Sequence, residues 1–132
     1  LEEGDAEHLT VAAASVDVAT VAFGVRNFEN LEAGLRELHR VLKPGGKVVI
    51  LEFSRPRNRI FRALYEFYSY RVLPRIGGAI SNDKRAYDYL PVSVGEFPAP
   101  EAFLSLLARA GFSDCRSRSQ SFGIAQIYTG VK

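Results

Sequence analysis

Val16-Asp17-Val18-Ala19-Thr20-Val21-Ala22 and, after a helical stretch, Lys43-Pro44-Gly45-Gly46-Lys47-Val48-Val49-Ile50-Leu51-Glu52-Phe53 decide the fold. The first run is β-branched and mostly apolar, which predicts a strand buried on both faces of a parallel sheet. It ends at Phe23-Gly24. Asn30 then offers a helix cap, and Leu31, Leu35, Leu38, Val41 and Leu42 recur at helical spacing, with Arg36, Glu37 and Arg40 on the wetter side. Lys43 to Gly46 should stop that helix, because proline lacks an amide donor and glycine tolerates positive φ. Val48 to Phe53 reads as a second interior strand. Strand, helix, tight turn and strand make a βαβ unit, expected to close as a right-handed crossover.

Beyond a polar turn, residues 59–73 carry Ile60, Phe61, Leu64, Tyr65, Phe67, Tyr68, Tyr70, Val72 and Leu73, more apolar surface than one helical stripe needs. Such a helix is either deeply packed or apolar on its outside. A loop through Gly77-Gly78 leads to Tyr87-Asp88-Tyr89-Leu90, a candidate short helix. Pro98-Ala99-Pro100-Glu101 opens a further helix with Phe103, Leu104, Leu107 and Ala110 on one face and Gly111 past its end. Residues 112–121 and 123–131 read as closing strands too close together for a helical crossover, hence antiparallel. The expected class is α/β: parallel strands with an antiparallel terminal pair, in a single partial domain over residues 1–132 with a helical insertion over 55–95.

Composition narrows the function classes. The chain has 132 residues, 47% hydrophobic, with 17 Lys+Arg against 15 Asp+Glu. This is enough for one core, and it excludes both an acidic disordered chain and a strongly basic nucleic-acid binder. A lone cysteine, Cys115, cannot form an internal bridge. No apolar run approaches the roughly 18 residues that span a bilayer. The opening Leu1-Glu2-Glu3-Gly4 does not resemble a signal peptide, and the lack of any methionine points to a fragment of a longer chain.

Gly4-Asp5-Ala6-Glu7 precedes the first complete strand. In an open α/β sheet, ligands bind beyond the carboxyl ends of strands, where an acid can accept from a nucleoside amino group or hydroxyl. The ordinary alternative is a turn or helix cap. Together with Val16-Asp17-Val18, Phe23-Gly24-Val25-Arg26-Asn27 and the Arg40 to Val48 stretch, this element resembles the later half of a class I S-adenosylmethionine-dependent methyltransferase. Phe23-Gly24-Val25-Arg26-Asn27, Leu51-Glu52-Phe53-Ser54 and Ala86-Tyr87-Asp88-Tyr89-Leu90 narrow it: the whole chain is similar to the ubiquinone/menaquinone biosynthesis C-methyltransferase family.

The resemblance implies the carboxyl-terminal half of a Rossmann-like sheet, with the amino-terminal half and its glycine loop absent. It implies S-adenosyl-L-methionine as cofactor and a polyprenyl quinol as substrate, demethylmenaquinol or a related methoxy benzoquinol. Asp5 and Ala6 would lie beside the adenine, and Ala22 and Phe23 would line the donor pocket. A serine is common in the family where this chain has Ala22, so a side-chain hydrogen bond is lost there. Arg26 and Asn27 would sit near the transferred methyl as the catalytic pair, with donor and acceptor held at about 3 to 3.5 Å. A guanidinium holds its proton too tightly to serve as a base, so the expected role of Arg26 is to stabilise a developing phenolate while Asn27 orients a water or a ring oxygen. Tyr87 and Tyr89 would line the quinol pocket, or else cap a core edge with their hydroxyls in water. No metal is required.

Residues 55–75 carry Arg55, Arg57, Arg59, Arg62, Arg71 and Arg75 against the single acid Glu66, around an aromatic interior. That pairing suits either an amphipathic helix on a membrane surface or a lid with solvated arginines. A cytoplasmic protein, peripheral on the inner membrane face, is the corresponding location. His39 and His8 lack the partners of a catalyst or a metal site, and Cys115 reads as an inert thiol. If residues 1–132 stand alone, weak donor binding, an exposed sheet edge and a homo-oligomer are expected. The competing readings are a noncatalytic membrane-associated or oligomerising module, and a methyltransferase for another small molecule.

Overall fold

A computed structural model of the chain describes residues 4–56, 58–68, 71 and 93–132. The expectations for Tyr87 and Tyr89 therefore lie outside the described residues. The described elements run β1 (Val16–Ala22), a 3₁₀ turn (Val25–Asn27), α1 (Leu31–Val41), β2 (Leu42–Phe53), α2 (Arg59–Phe67), α3 (Pro100–Arg109), β3 (Ser113–Gln120) and β4 (Ala125–Val131). They build one mixed sheet in the order β1-β2-β4-β3. β1 and β2 are parallel, while β4 is antiparallel to both β2 and β3. This is the expected α/β arrangement of a parallel pair followed by an antiparallel terminal pair.

Local chemistry fixes the ends of the helices. Asn30 accepts a hydrogen bond from the Ala33 amide and caps α1. The Ala14 and Ser15 amides donate to the Arg40 and Val41 carbonyls, satisfying acceptors that the end of the helix leaves open. Pro100 occupies the first turn of α3, where its missing amide costs nothing. Gly111, at φ +107°, ends it.

One face of the sheet carries the core. Val48 and Ile50 of β2 and Tyr128 of β4 pack against Leu35 and Leu38 of α1 and Phe103 and Leu107 of α3. Burying each of these large apolar side chains stabilises the fold by about 1.5 to 3 kcal/mol. The other face corrects the expectation that β1 is buried on both sides. β1 is an edge strand among the described residues, and Val18 is exposed. Val49 and Leu51 of β2 and Ile127 of β4 are only half-buried. A β-branched, mostly apolar run shows that both faces can be covered, but not that both are.

The Lys43 to Gly46 stretch also differs from expectation. The helix stops at Val41, and these residues belong to β2 as a bulge: Val16 pairs with Leu42, but Val18 pairs with Lys47. A Cβ at Gly46 would lie 2.8 Å from the Lys43 carbonyl oxygen and 3.0 Å from that of Asp17, so only glycine fits. The Gly45 amide donates to the Lys132 carbonyl, and the Lys132 amide donates to that of Gly46, both at 2.9 Å.

His39 meets Phe112 edge-on, with ring centroids 5.1 Å apart. Burial lowers the pKa of His39, and Lys132 lowers it further. The folded state therefore favours the neutral ring. Its contribution is complete above the unfolded value of about 6.5 and is lost as pH falls through the folded value. A His39→Gln variant should lose Tm less steeply than the wild type between about pH 7 and pH 5. Calorimetry over that range is the check, and parallel curves would contradict the assignment.

Candidate functional site

The parallel register of β1 and β2 pairs Ala22 with Leu51, so the two strands end side by side. At that carboxyl edge the chain turns sharply. Phe23 adopts φ +55°, a conformation uncommon for a bulky residue, and its amide donates to the Leu51 carbonyl at 2.8 Å. Its ring stacks on Phe53 with centroids 4.4 Å apart. The Asn27 and Phe28 amides then close the short turn onto Gly24 and Val25.

This turn aims Arg26 back at β2. Its Nη1 donates to Glu52 Oε1 at 2.7 Å and to the Phe23 carbonyl at 2.6 Å, and its backbone amide donates to Glu52 Oε2 at 3.3 Å. The Phe53 amide donates to Glu52 Oε1 at 2.8 Å. Glu52 is fully buried and the Arg26 side chain is 11% exposed. A carboxylate so placed is tolerable only with a partner of opposite charge and donors for its lone pairs, and it has both. The guanidinium also sits 5.5 Å from the Phe53 ring centroid.

Two buried polar atoms, Arg26 Nε and the Tyr128 hydroxyl, have no hydrogen-bond partner among the described residues. Burial, reinforced by the charge of Glu52, pushes the Tyr128 phenol up to about 12, so it stays protonated.

The acidic element is held beside this corner by α1. Glu37 accepts from the Leu9 amide, and Arg40 donates to the Leu9 and Val11 carbonyls while pairing with Glu37. Glu7 accepts from the Asn30 amide at 2.6 Å. Asp5 takes the Glu7 amide at 2.8 Å and lies 3.2 Å from His8 Nδ1. The Glu7 amide, then His8, hold its carboxyl below the usual aspartate range, so it is ionised at neutral pH. It remains mostly exposed and keeps lone pairs free to accept from a ligand.

Gly4, Asp5, Ala6, Glu7, Asn27 and Phe28 line a cleft of about 320 Å³. Asp5, Ala6 and Asn27 therefore share a rim. Ala22 and Phe23 end the adjoining strand without lining this cleft, and Arg26 turns inward to Glu52. A second cleft, of about 380 Å³, opens at the end of β2 between Phe53, Ser54, Arg55, Arg62 and Phe97.

Sequence reasoning gave Glu52 no role, although a signal was present. It is the lone acid in an apolar strand, in step with the core-facing Val48 and Ile50. Tyr128 carried no signal. Cys115 is half-buried with its thiol pKa raised by burial, in keeping with an inert group.

The model of the ubiE/COQ5 methyltransferase family matches residues 1–132. A ubiquinone/menaquinone biosynthesis C-methyltransferase of Geobacter sulfurreducens is 57% identical over 116 residues, 88% of this chain and 45% of that protein. A demethylmenaquinone methyltransferase of Thermus thermophilus is 48% identical over 97% of this chain and 58% of its own length. The chain thus spans about half the length of the curated relatives it matches. Among solved structures, SAM-dependent methyltransferases of Thermotoga maritima and Aquifex aeolicus superpose with TM-scores of 0.63 and 0.62 at 19% and 14% identity. They cover 98% and 99% of this chain, which covers 62% and 53% of theirs, and at such identity the likeness is one of fold.

The Arg26–Glu52 pair can be tested by breaking it from one side. Glu52→Ala strands a buried guanidinium and should lower unfolding stability by about 3 to 5 kcal/mol, whereas Arg26→Met with Glu52→Leu should recover most of that loss. Urea denaturation measures both, and an equally unstable double variant would show that the site needs its charges.

Proposed function

The chain belongs to the ubiE/COQ5 methyltransferase family, and from that premise we propose that it forms part of an S-adenosyl-L-methionine-dependent enzyme that methylates a ring carbon of a polyprenyl quinol. Demethylmenaquinol is the substrate we favour, with a methoxy polyprenyl benzoquinol as the close relative. The observation that supports the reading most directly is the common rim of Asp5 and Asn27 at the carboxyl end of β1. Open α/β sheets bind their ligands at such a place.

In this reading the donor occupies the Asp5 cleft. Its exposed, ionised carboxylate accepts from the adenine amino group, Ala6 abuts the ring, and Ala22 with Phe23 walls the strand end. When bound there, S-adenosyl-L-methionine supplies an electrophilic methyl group. The quinol head lies against the cleft beyond Phe53, and the stacked Phe23 and Phe53 rings stand at the boundary. Glu52 balances the charge of Arg26 at 2.7 Å, so Arg26 acts by fixed N–H direction rather than by net charge. It holds the corner rigid with its charge turned to Glu52, and so acts as a positioning residue for Asn27 on the cleft rim. Asn27 orients the ring oxygen or the water that receives the departing ring proton. Tyr87 and Tyr89 are assigned to the quinol side.

Among the described residues no helix is long and apolar enough to cross a membrane. We place the protein in the cytoplasm, working at the inner membrane face. Self-association is assigned to the edge of β1 that no other described strand pairs.

Transfer of a labelled methyl group to demethylmenaquinol and to a polyprenyl benzoquinol, with the full polypeptide, tests the activity. Product methylated on carbon is expected, and label on oxygen, or on neither quinol, would overturn the reading. Asp5→Ala should raise the KM for the donor by about tenfold or more, as loss of one hydrogen bond to a charged group implies. An unchanged KM would remove Asp5 from the site. Residues 1–132 on their own should bind the donor weakly by isothermal titration, and a Kd near or below about 1 μM would contradict the half-built donor site.

A further inference from the structure

α2 presents its apolar side outward. Ile60, Leu64 and Phe67 fall on one arc of the helix, flanked by Phe61 and Tyr68, and all five are exposed, Ile60 at 71% and Phe67 at 63%. None of the α2 residues is buried, and Tyr65, on the flank of that arc, is the half-buried one. Asn58 caps the helix by accepting from the Ile60 and Phe61 amides, so the segment is well formed without a covered face.

A second element extends the patch. Phe122, in the turn between β3 and β4, is 76% exposed and stacks on Phe61 with centroids 5.0 Å apart and planes 14° from parallel. Ser121 and Phe122 both adopt positive φ, at +48° and +58°, and so hold that ring outward in a conformation such residues rarely choose. Two separate parts of the chain thus converge on one exposed apolar surface.

The charge around the patch identifies its occupant. Arg59 and Arg62 share one side of α2 with Glu66, Arg55 and Arg71 flank the helix in sequence, and Glu101 lines the cleft with Arg55 and Arg62, so four arginines meet two acids. A second copy docked here about a two-fold axis would bring one arginine-rich surface against another. Anionic lipid headgroups complement it, because guanidinium forks bind phosphate while aromatic and aliphatic side chains enter the interface. We propose that α2 and Phe122 form a docking surface for an anionic bilayer. Among the described residues no helix is long and apolar enough to cross a bilayer, so α2 is placed along the interface. Arg62 also lines the cleft beyond Phe53, so docking brings the mouth of that cleft to the lipid. Why a bilayer would be visited rests on the quinol reading: a polyprenyl acceptor resides there.

Cosedimentation of the full polypeptide with phosphatidylcholine vesicles, with and without phosphatidylglycerol, tests this in the absence of donor and acceptor. Failure here is therefore separate from failure of methyl transfer. The wild type should pellet with the anionic vesicles, be released at high salt, and stay in solution with phosphatidylcholine alone. Leu64→Ser combined with Phe122→Ser, and separately Arg59→Glu, should each weaken binding about tenfold or more at unchanged far-ultraviolet circular dichroism. Wild-type protein left in the supernatant with anionic vesicles would overturn the proposal, and so would a Leu64→Ser, Phe122→Ser protein that pellets as the wild type does. A lipid-free dimer that the same double substitution converts to monomer would overturn it in favour of a second copy.

Discussion

Glu52 has no contact with solvent, and its charge has to be met inside the protein. Arg26 meets it from a turn 26 residues earlier in the chain, while the Arg26 and Phe53 amides satisfy the carboxylate further. The same guanidinium ties down the Phe23 carbonyl at the point where the backbone takes its positive φ. One ion pair therefore joins the ends of two parallel strands and sets the Phe23 ring on that of Phe53. The two clefts flank that corner, and their separation follows from it. An apolar pair could fill the same volume, but it could not tie the Phe23 carbonyl and the Phe53 amide into one network.

α1 does the complementary work on the other side of the cleft. Its Glu37 and Arg40 take the backbone of Leu9 and Val11, and the Asn30 amide at its cap takes Glu7. Glu32 reaches Arg109 of α3 at 2.7 Å. Exposed pairs of this kind add little to stability individually. What they contribute is placement, since the Asp5 segment has no strand or helix of its own to hold it.

Much of this was legible in the sequence, and what was legible is local. The bounds of β1, the Asn30 cap, the proline start of α3 and the antiparallel closing strands all follow from residue type and spacing within a few positions. That Asp5 and Asn27 belong near one another was suggested by the family resemblance and not by residue type or spacing. What escaped was long-range. Val16 to Ala22 reads the same whether one face or two are covered, because coverage is decided by elements far away in the chain. Lys43 to Gly46 carries a helix stop and a strand bulge in the same letters, and only the pairing of β1 with β2 separates them. For Arg26 the residue type announced a charge but not its partner. The outward apolar face of α2 was left open by periodicity, which reports that a helix is amphipathic and not which way it is turned.

The strand order carries a consequence for how the molecule is made. β4 is the last of the described strands to leave the ribosome, yet it is inserted between β2 and β3. Until it emerges, the inner edge of β2 has no neighbour, β3 has nothing to pair with, and the seat of Tyr128 beneath Phe103 stands empty. Before β4 emerges, the β1-α1-β2 unit is the part of the described sheet that can assemble from contacts close in sequence. Completion of the described sheet waits on β4, and a nascent chain stalled shortly before it would display a bare, hydrogen-bonding strand to chaperones and to its own neighbours on the polysome.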